Sequence, residues 1–193
     1  ATLRLQTAPL GGALNLAILP TFGMRWLMPR LPDFARMHPD VTINMSTRLE
    51  PFNFAAEAFD AALSFGDAGW PNTNSMLLEN ETVVPVGSPQ YLSSIQLTKA
   101  EDLRKHPLLH IQTRPDAWND WFEQHGIARA VLPGTRYDQF STILQAARHG
   151  LGIALIPDYL AREEIADGRL AAAFGGPSPS RGAYRLIWPD EKH

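Results

Sequence analysis

LNLAILPTFGMRWLMPRLPDFARMHPD, residues 14–40, changes its hydrophobic period once, and that change decides the fold. Leu14 to Leu19 is an apolar run short enough for a buried strand, and Pro20-Thr21 stops it where a helix can begin. The helix is predicted from about Thr21 to Met37, because Trp26, Leu27, Leu31 and Phe34 recur at helical spacing. Pro29 and Pro32 predict a kink or restart inside it, and His38-Pro39-Asp40 closes it.

The same strand-then-helix reading extends along the chain. Val41 to Ser46 alternates apolar and polar residues, Ala61 to Phe65 is a second short strand, and a short helix is expected near Asn53 to Ala58. Met76 to Val86 reads as a strand interrupted at Pro85, where the chain is expected to change lobes. Thr98 with Glu101 three residues on suggests a capping box for a helix to Lys105; Leu108 to Ile111 is an apolar strand. Asp116 is positioned to cap Ala117 to His125, which Gly126 stops. Gln139 to His149 then ends at Gly150 before the strand Leu151 to Ile156, and Asp158 to Ile165 stops at Asp167-Gly168. Gly175 to Pro179 reads as a crossing and Tyr184 to Trp188 as a last strand returning to the first lobe. Strands alternating with helices predict an α/β fold with mainly parallel sheets, whose ligand sites lie beyond the carboxyl ends of the strands.

Composition narrows the class. A chain of 193 residues, 45% hydrophobic and 19% charged, can bury a core. A net charge of −3 argues against a nucleic-acid surface on this piece, since phosphate neutralisation needs clustered Lys and Arg. The absence of Cys removes disulfides, thiolate catalysis and Cys-based zinc sites, without deciding the compartment. No apolar run approaches the roughly 18 residues of a membrane span, and residues 1–10 lack signal-peptide character. The chain starts without Met and is expected to be a fragment.

Catalytic patterns are missing: there is no GxSxG elbow, Walker loop, complete GxGxxG or HExxH. Gly150 and Gly152 end a helix and open a strand, the reverse of a dinucleotide fingerprint, and so read as a helix cap. His106, His110, His125 and His149 lack metal-ligand spacing, and adjacent Glu163 and Glu164 read as a solvated helix face. Neither cofactor nor metal is expected.

Residues 14–40 resemble the opening of the effector-binding domain of LysR-type transcriptional regulators, above all the glycine-cleavage-activator-like subgroup. Further landmarks follow in the family's order: Ser46-Thr47, FDAALSFGDAGWP from Phe59, VPVGSPQYL from Val84, DLRKHPLLH from Asp102 and AARHGLGIALIP from Ala146. The resemblance implies a type 2 periplasmic-binding-protein-like pair of α/β lobes with two crossover strands and an effector in the cleft between them. Lobe I would be residues 1–84 plus 183–193 and lobe II residues 85–182. It also implies a small-molecule effector, a homodimer or tetramer, cytoplasmic localisation, and promoter DNA bound through a winged helix-turn-helix absent from this chain.

Thr21 lies at a helix start, so its hydroxyl and the amides of Phe22 and Gly23 can bind an anionic group such as a carboxylate, or Thr21 merely caps its helix. Thr47 faces the same crevice in the family pattern, or is an ordinary loop hydroxyl. Ser64 and Phe65 belong to the implied site as well, but many subgroup members carry Arg where this chain has Ser64. In lobe II the matching loop is Thr113-Arg114-Pro115, where Arg114 can offer a fork to a carboxylate or stand as a solvated charge. Asp138 and Gln139 begin a helix that the family places across the cleft; Asp138 either faces a ligand amine or caps the helix. Trp26, Trp70 and Trp118 read as core or interface ahead of stacking. The helices Trp26 to Phe34 and Gln139 to His149 are candidates for subunit contact or simply pack on their own sheets. Two other classes share the scaffold: a solute receptor of the periplasm, and an enzyme, for which no nucleophile and base can be assembled.

Overall fold

The computed structural model describes residues 12–66 and 69–190; of the quoted stretches, Asp67 and Ala68 fall outside it. The chain divides into two compact units, 12–79 with 183–190 (lobe I) and 80–182 (lobe II), where the sequence reading places the boundary at 84/85.

Lobe I begins with β1 (Ala13–Ile18), which leads through Leu19 into helical backbone. That backbone runs through α1 (Pro20–Phe22), a π-turn (Gly23–Leu27), a 3-10 turn (Met28–Arg30) and α2 (Leu31–Met37). Pro29 and Pro32 stand in the first turn of the last two pieces, where a missing N–H breaks no helical bond, so the run restarts and does not end. Gly23 lets this backbone close onto β1, because a Cβ there would lie 2.9 Å from Ile18 Cδ1.

β2 (Thr42–Thr47) pairs parallel with β1 from Ala13↔Thr42 to Ile18↔Thr47. β3 (Ala61–Gly66) is also parallel to β1, and β9 (Ser178–Pro189) runs antiparallel to β3, giving the order β2-β1-β3-β9. The helix expected over 53–58 does not form. Asn53 instead accepts from Ala55 N through its side chain and from Ala56 N through its carbonyl, both at 3.0 Å, and this local turn outcompetes helix. Phe52, Phe54, Phe59 and Trp70 form an aromatic cluster over that turn, which accounts for Trp70 as a packing residue.

Lobe II contains the greater part of β4 (Thr73–Gly87), which continues through Pro85 where an interruption is expected. The reason lies in the pairing: Pro85 O accepts from Ala173 N at 2.8 Å, so its missing N–H faces the short β8 (Ala171–Ala172) side and the ladder to β7 (Ile153–Pro157) is intact. α3 (Pro89–Ser93) is capped by Ser88. The next turn, Ala100–Lys105, is 3-10, and its capping carboxylate is Asp102, one residue past the expected Glu101: it accepts from Thr98 N, Thr98 Oγ1 and Lys99 N. β5 (Leu108–Ile111) is followed by α4 (Ala117–Gln124), β6 (Arg136–Tyr137), α5 (Phe140–Arg148), β7 and α6 (Asp158–Ala166), in the sheet order β4-β7-β5-β6 with β8 beside β4.

Asp116 makes no cap bond to α4; its carboxylate binds Arg129 instead. Gly150, at φ +74, closes α5 in the left-handed region, as the cap reading requires. Hydrophobic clusters fill the lobe: Ile143, Leu144, Ala146, Ala147 and Leu160 pack in one, and Trp118, Trp121, Phe122 and Leu103 in another. Trp118 is a core residue, 2% exposed, its Nε1 donating to Leu109 O at 2.9 Å. α5 likewise buries its apolar stripe in its own lobe.

Candidate functional site

Three strands of lobe I run in the same direction, so their carboxyl ends share one edge. Ile18 ends β1 level with Thr47, and Arg48 N donates to Ile18 O at 3.0 Å, which fixes the two strand ends side by side. The chain then turns at Leu19 into α1, placing Thr21 on the first helical turn at this edge. The cap residue is Leu19, in extended geometry and with no side-chain cap bond, so Thr21 does not cap its helix. Thr47 is exposed and Thr21 half-buried.

Phe22 contributes differently from the two threonines. Its ring, 1% exposed, stacks on Tyr184 at 3.8 Å and on Trp26 at 4.8 Å, while Phe65 lies 5.0 Å from Tyr184. Only its backbone is a candidate for contact with a ligand. Tyr184 is a residue that sequence reasoning missed; an aromatic within the last strand was visible, but nothing local says which ring it meets. Ser64 is buried, 7% exposed, directly across the ladder from Arg185 of β9.

The lobe II candidates occupy loops at strand ends. Thr113 is exposed in the turn after β5, whereas Arg114 is a largely buried residue and not a solvated charge. Its guanidinium pairs with Glu81, whose side chain is 1% exposed and also accepts from Ser180 Oγ, and it lies 4.9 Å over the Phe140 ring. Asp138 and Gln139 are exposed ahead of α5; Gln139 is its cap residue, and neither side chain makes a cap bond.

Two further carboxylates carry unexpected burial. Glu164 belongs to no solvated face: its side chain is 1% exposed and holds Arg148 and Arg169. Burial by itself would raise its pKa, but the hydrogen bonds and charge of Arg148, with Arg169 behind them, hold it below the ordinary carboxylate range. The Lys105 ammonium, together with the Lys99 and Thr98 amides and the Thr98 hydroxyl, holds Asp102 far below that range. Sequence gives a hint of Glu164 only in hindsight, since Arg148 and Arg169 lie on other elements.

Lobe II also has a small cavity of about 210 Å³ lined by His110, Gln112, Trp118, Asn119, Leu132 and Arg136, among others. Burial pushes the His110 imidazole below its usual pKa, the Pro133 carbonyl opposing and Arg136 adding to the effect. Among the described residues no group of three or more His, Asp or Glu could hold a metal ion, and no helix is long and apolar enough to cross a membrane.

Comparison with known proteins places this chain in a family. The family described as LysR substrate binding domain matches residues 7–193. The glycine cleavage system transcriptional activator of Escherichia coli K12 is 34% identical over 194 residues, covering 100% of this chain and 63% of the relative. The HTH-type transcriptional activator AmpR of Rhodobacter capsulatus is 33% identical, covering 95% of this chain and 64% of that protein. This chain thus spans somewhat under two thirds of these relatives. Among solved structures, the effector domain of the transcriptional regulator AmpR of Pseudomonas aeruginosa superposes with a TM-score of 0.83 at 30% identity, covering 94% of this chain and 87% of that one.

Proposed function

This chain belongs to the LysR substrate-binding-domain family, and from that premise we propose that it senses a small carboxylated or amino acid-like metabolite for a transcriptional regulator. The observation that carries the reading is the lobe I edge: Thr21 and Thr47 present hydroxyls at the ends of two strands held in register, beside the first amides of a helical run. Such an edge offers donors to an anion and no group that attacks it. Thr113, Asp138 and Gln139 are the lobe II residues assigned to the effector, and Asp138 would favour an amine.

The longer relatives support placing this domain in a cytoplasmic protein that binds promoter DNA through another segment and assembles as a dimer or tetramer. The helical run 20–37 suits self-association, since Met24, Met28 and Met37 are 58%, 45% and 68% exposed. An effector alters the DNA complex only by binding one arrangement of the assembly more tightly than another.

The test is a thermal-shift screen of amino acids, dicarboxylates, aromatic acids and cell-wall fragments. A ligand at about 100 times its Kd stabilises by about 2.7 kcal/mol. Thr21→Val and Thr47→Ala are expected to remove the shift while leaving the unliganded melting temperature in place. Arg114→Ala is a poor probe, because it strands the buried Glu81 carboxylate. A hit that survives both threonine changes places the effector elsewhere.

A further inference from the structure

We propose that the cavity of lobe II is a second ligand site, one that takes a small monocarboxylate with a short apolar chain. The site shares no residue with the effector site assigned above: none of Thr21, Thr47, Thr113, Asp138 and Gln139 lines it.

Strand alternation builds the cavity. Leu108, His110 and Gln112 alternate along β5 and the residue after it, so they look to one face of the sheet, while Leu109 and Ile111 look to the other. The first face is the one α4 covers, since Leu108 packs with Trp118 and Phe122, whereas Leu109 and Ile111 pack with Ile143 and Leu144 of α5. Arg136 of β6 is level with His110 in the parallel register and stands on that same α4 face. The remaining wall is the segment after α4. Asn119 Nδ2 donates to Ala130 O at 3.0 Å and its Oδ1 accepts from Ala130 N at 3.1 Å, which fixes the backbone that brings Val131 and Leu132 to the cavity. The space is therefore formed before a ligand arrives.

The polar groups around the cavity divide into spent and free. The Asn119 amide is used by Ala130, and the Trp118 indole N–H by Leu109 O. The His110 ring bonds the Pro133 carbonyl and its Nε2 is buried, so the ring is wall and not donor. Arg136 and Gln112 are exposed, and their side chains make no hydrogen bond or ion pair among the described residues. No carboxylate among the described residues lines the cavity, so the charge of Arg136 is unopposed there. A guanidinium stays protonated and offers a planar fork that fits a carboxylate, and the Gln112 amide adds a further donor. Trp118, Val131 and Leu132 present apolar surface to the rest of the ligand. Phosphate suits such walls poorly, because it would press strongly hydrated oxygens against them. At about 210 Å³ the space lies below the roughly 300–1,000 Å³ of drug-sized pockets, which suits an acid of a few carbons.

The experiment follows the His110 Cε1–H resonance of this chain by two-dimensional 13C–1H NMR, assigned by its loss in His110→Gln. Sodium isobutyrate is titrated at matched ionic strength beside sodium acetate, sodium phosphate and sodium chloride, so that the carboxylate, its apolar chain and simple screening are read separately. A saturable shift with isobutyrate is expected, acetate should bind about tenfold more weakly because it lacks the chain, and phosphate and chloride should not saturate. Arg136→Gln and Gln112→Glu, both at exposed positions, should each weaken isobutyrate about tenfold or more. Thr21→Val should leave it unchanged. No saturable shift with isobutyrate, acetate binding as tightly, saturation by phosphate or chloride, or unchanged binding in either cavity variant overturns the proposal. Loss of the shift in Thr21→Val also overturns it and places the acid at the lobe I edge. The effector reading survives any of the other failures, since its own test uses residues that do not line this cavity.

Discussion

Lobe I and lobe II differ in their buried carboxylates, which among the described residues all lie in lobe II. In lobe II the buried carboxylates of Glu81, Asp102 and Glu164 all have close partners, namely Arg114 with Ser180, Thr98 with Lys99 and Lys105, and Arg148 with Arg169. In lobe I the strand-end hydroxyls of Thr21 and Thr47 stand beside the helix start, and Arg185 buries a donor that nothing in the described residues accepts. A polar group already satisfied within the fold gains little from a ligand, whereas one left unmet makes binding more favourable. The paired carboxylates are thereby scaffold, but lobe II also buries Arg104 Nε, His110 Nε2 and Ser178 Oγ without partners, so unmet polar groups do not by themselves mark one lobe as the ligand's.

The comparison breaks most readily in the lobe II core. Trp118→Ala is expected to destabilise by about 3–5 kcal/mol, from the cavity and the lost bond to Leu109 O; urea unfolding measures it. Glu164→Ala leaves Arg148 without its carboxylate and Arg169 with Asp167 alone, and is expected to cost about 2–3 kcal/mol, less than a fully buried pair because both arginines are partly exposed. The same residue gives a pH signature. Its folded pKa is depressed, so its contribution is present above the unfolded value of about 4.3 and fades as pH falls through the lower folded value. The acid limb of stability against pH should therefore flatten in Glu164→Gln, and an unchanged limb would assign acid lability elsewhere.

Smaller effects sharpen the contrast. Gly150→Ala forces a side chain into φ +74 and should cost about 1 kcal/mol by thermal melting. Thr21→Val should change unliganded stability by less than about 0.5 kcal/mol while removing effector stabilisation. A large stability loss from Thr21→Val with binding retained would erase the distinction between the lobes.

Much of the fold was legible because it depends on local periodicity. The run LNLAIL, the proline stop and the helical spacing of Trp26, Leu27, Leu31 and Phe34 each involve residues a few positions apart, and the strand and helical run form as expected. Local reading fails where a distant partner decides. Pro85 breaks no ladder because of the side on which Ala173 meets it, and Asn53 closes a turn where helix is expected. Arg114 and Glu164 look like surface charges until the elements carrying Glu81 and Arg148 fold against them.

The sequence by itself determined the α/β alternation, the helical start at Pro20-Thr21 and the family resemblance, since all three reside in short windows of side-chain pattern. Tertiary structure alone decided which charges are spent. Glu81 lies 33 positions from Arg114, and Arg185 faces Ser64 only because β9 returns to pair with β3. Electrostatic compensation depends on distance in space, and sequence spacing carries no information about it until the chain has closed.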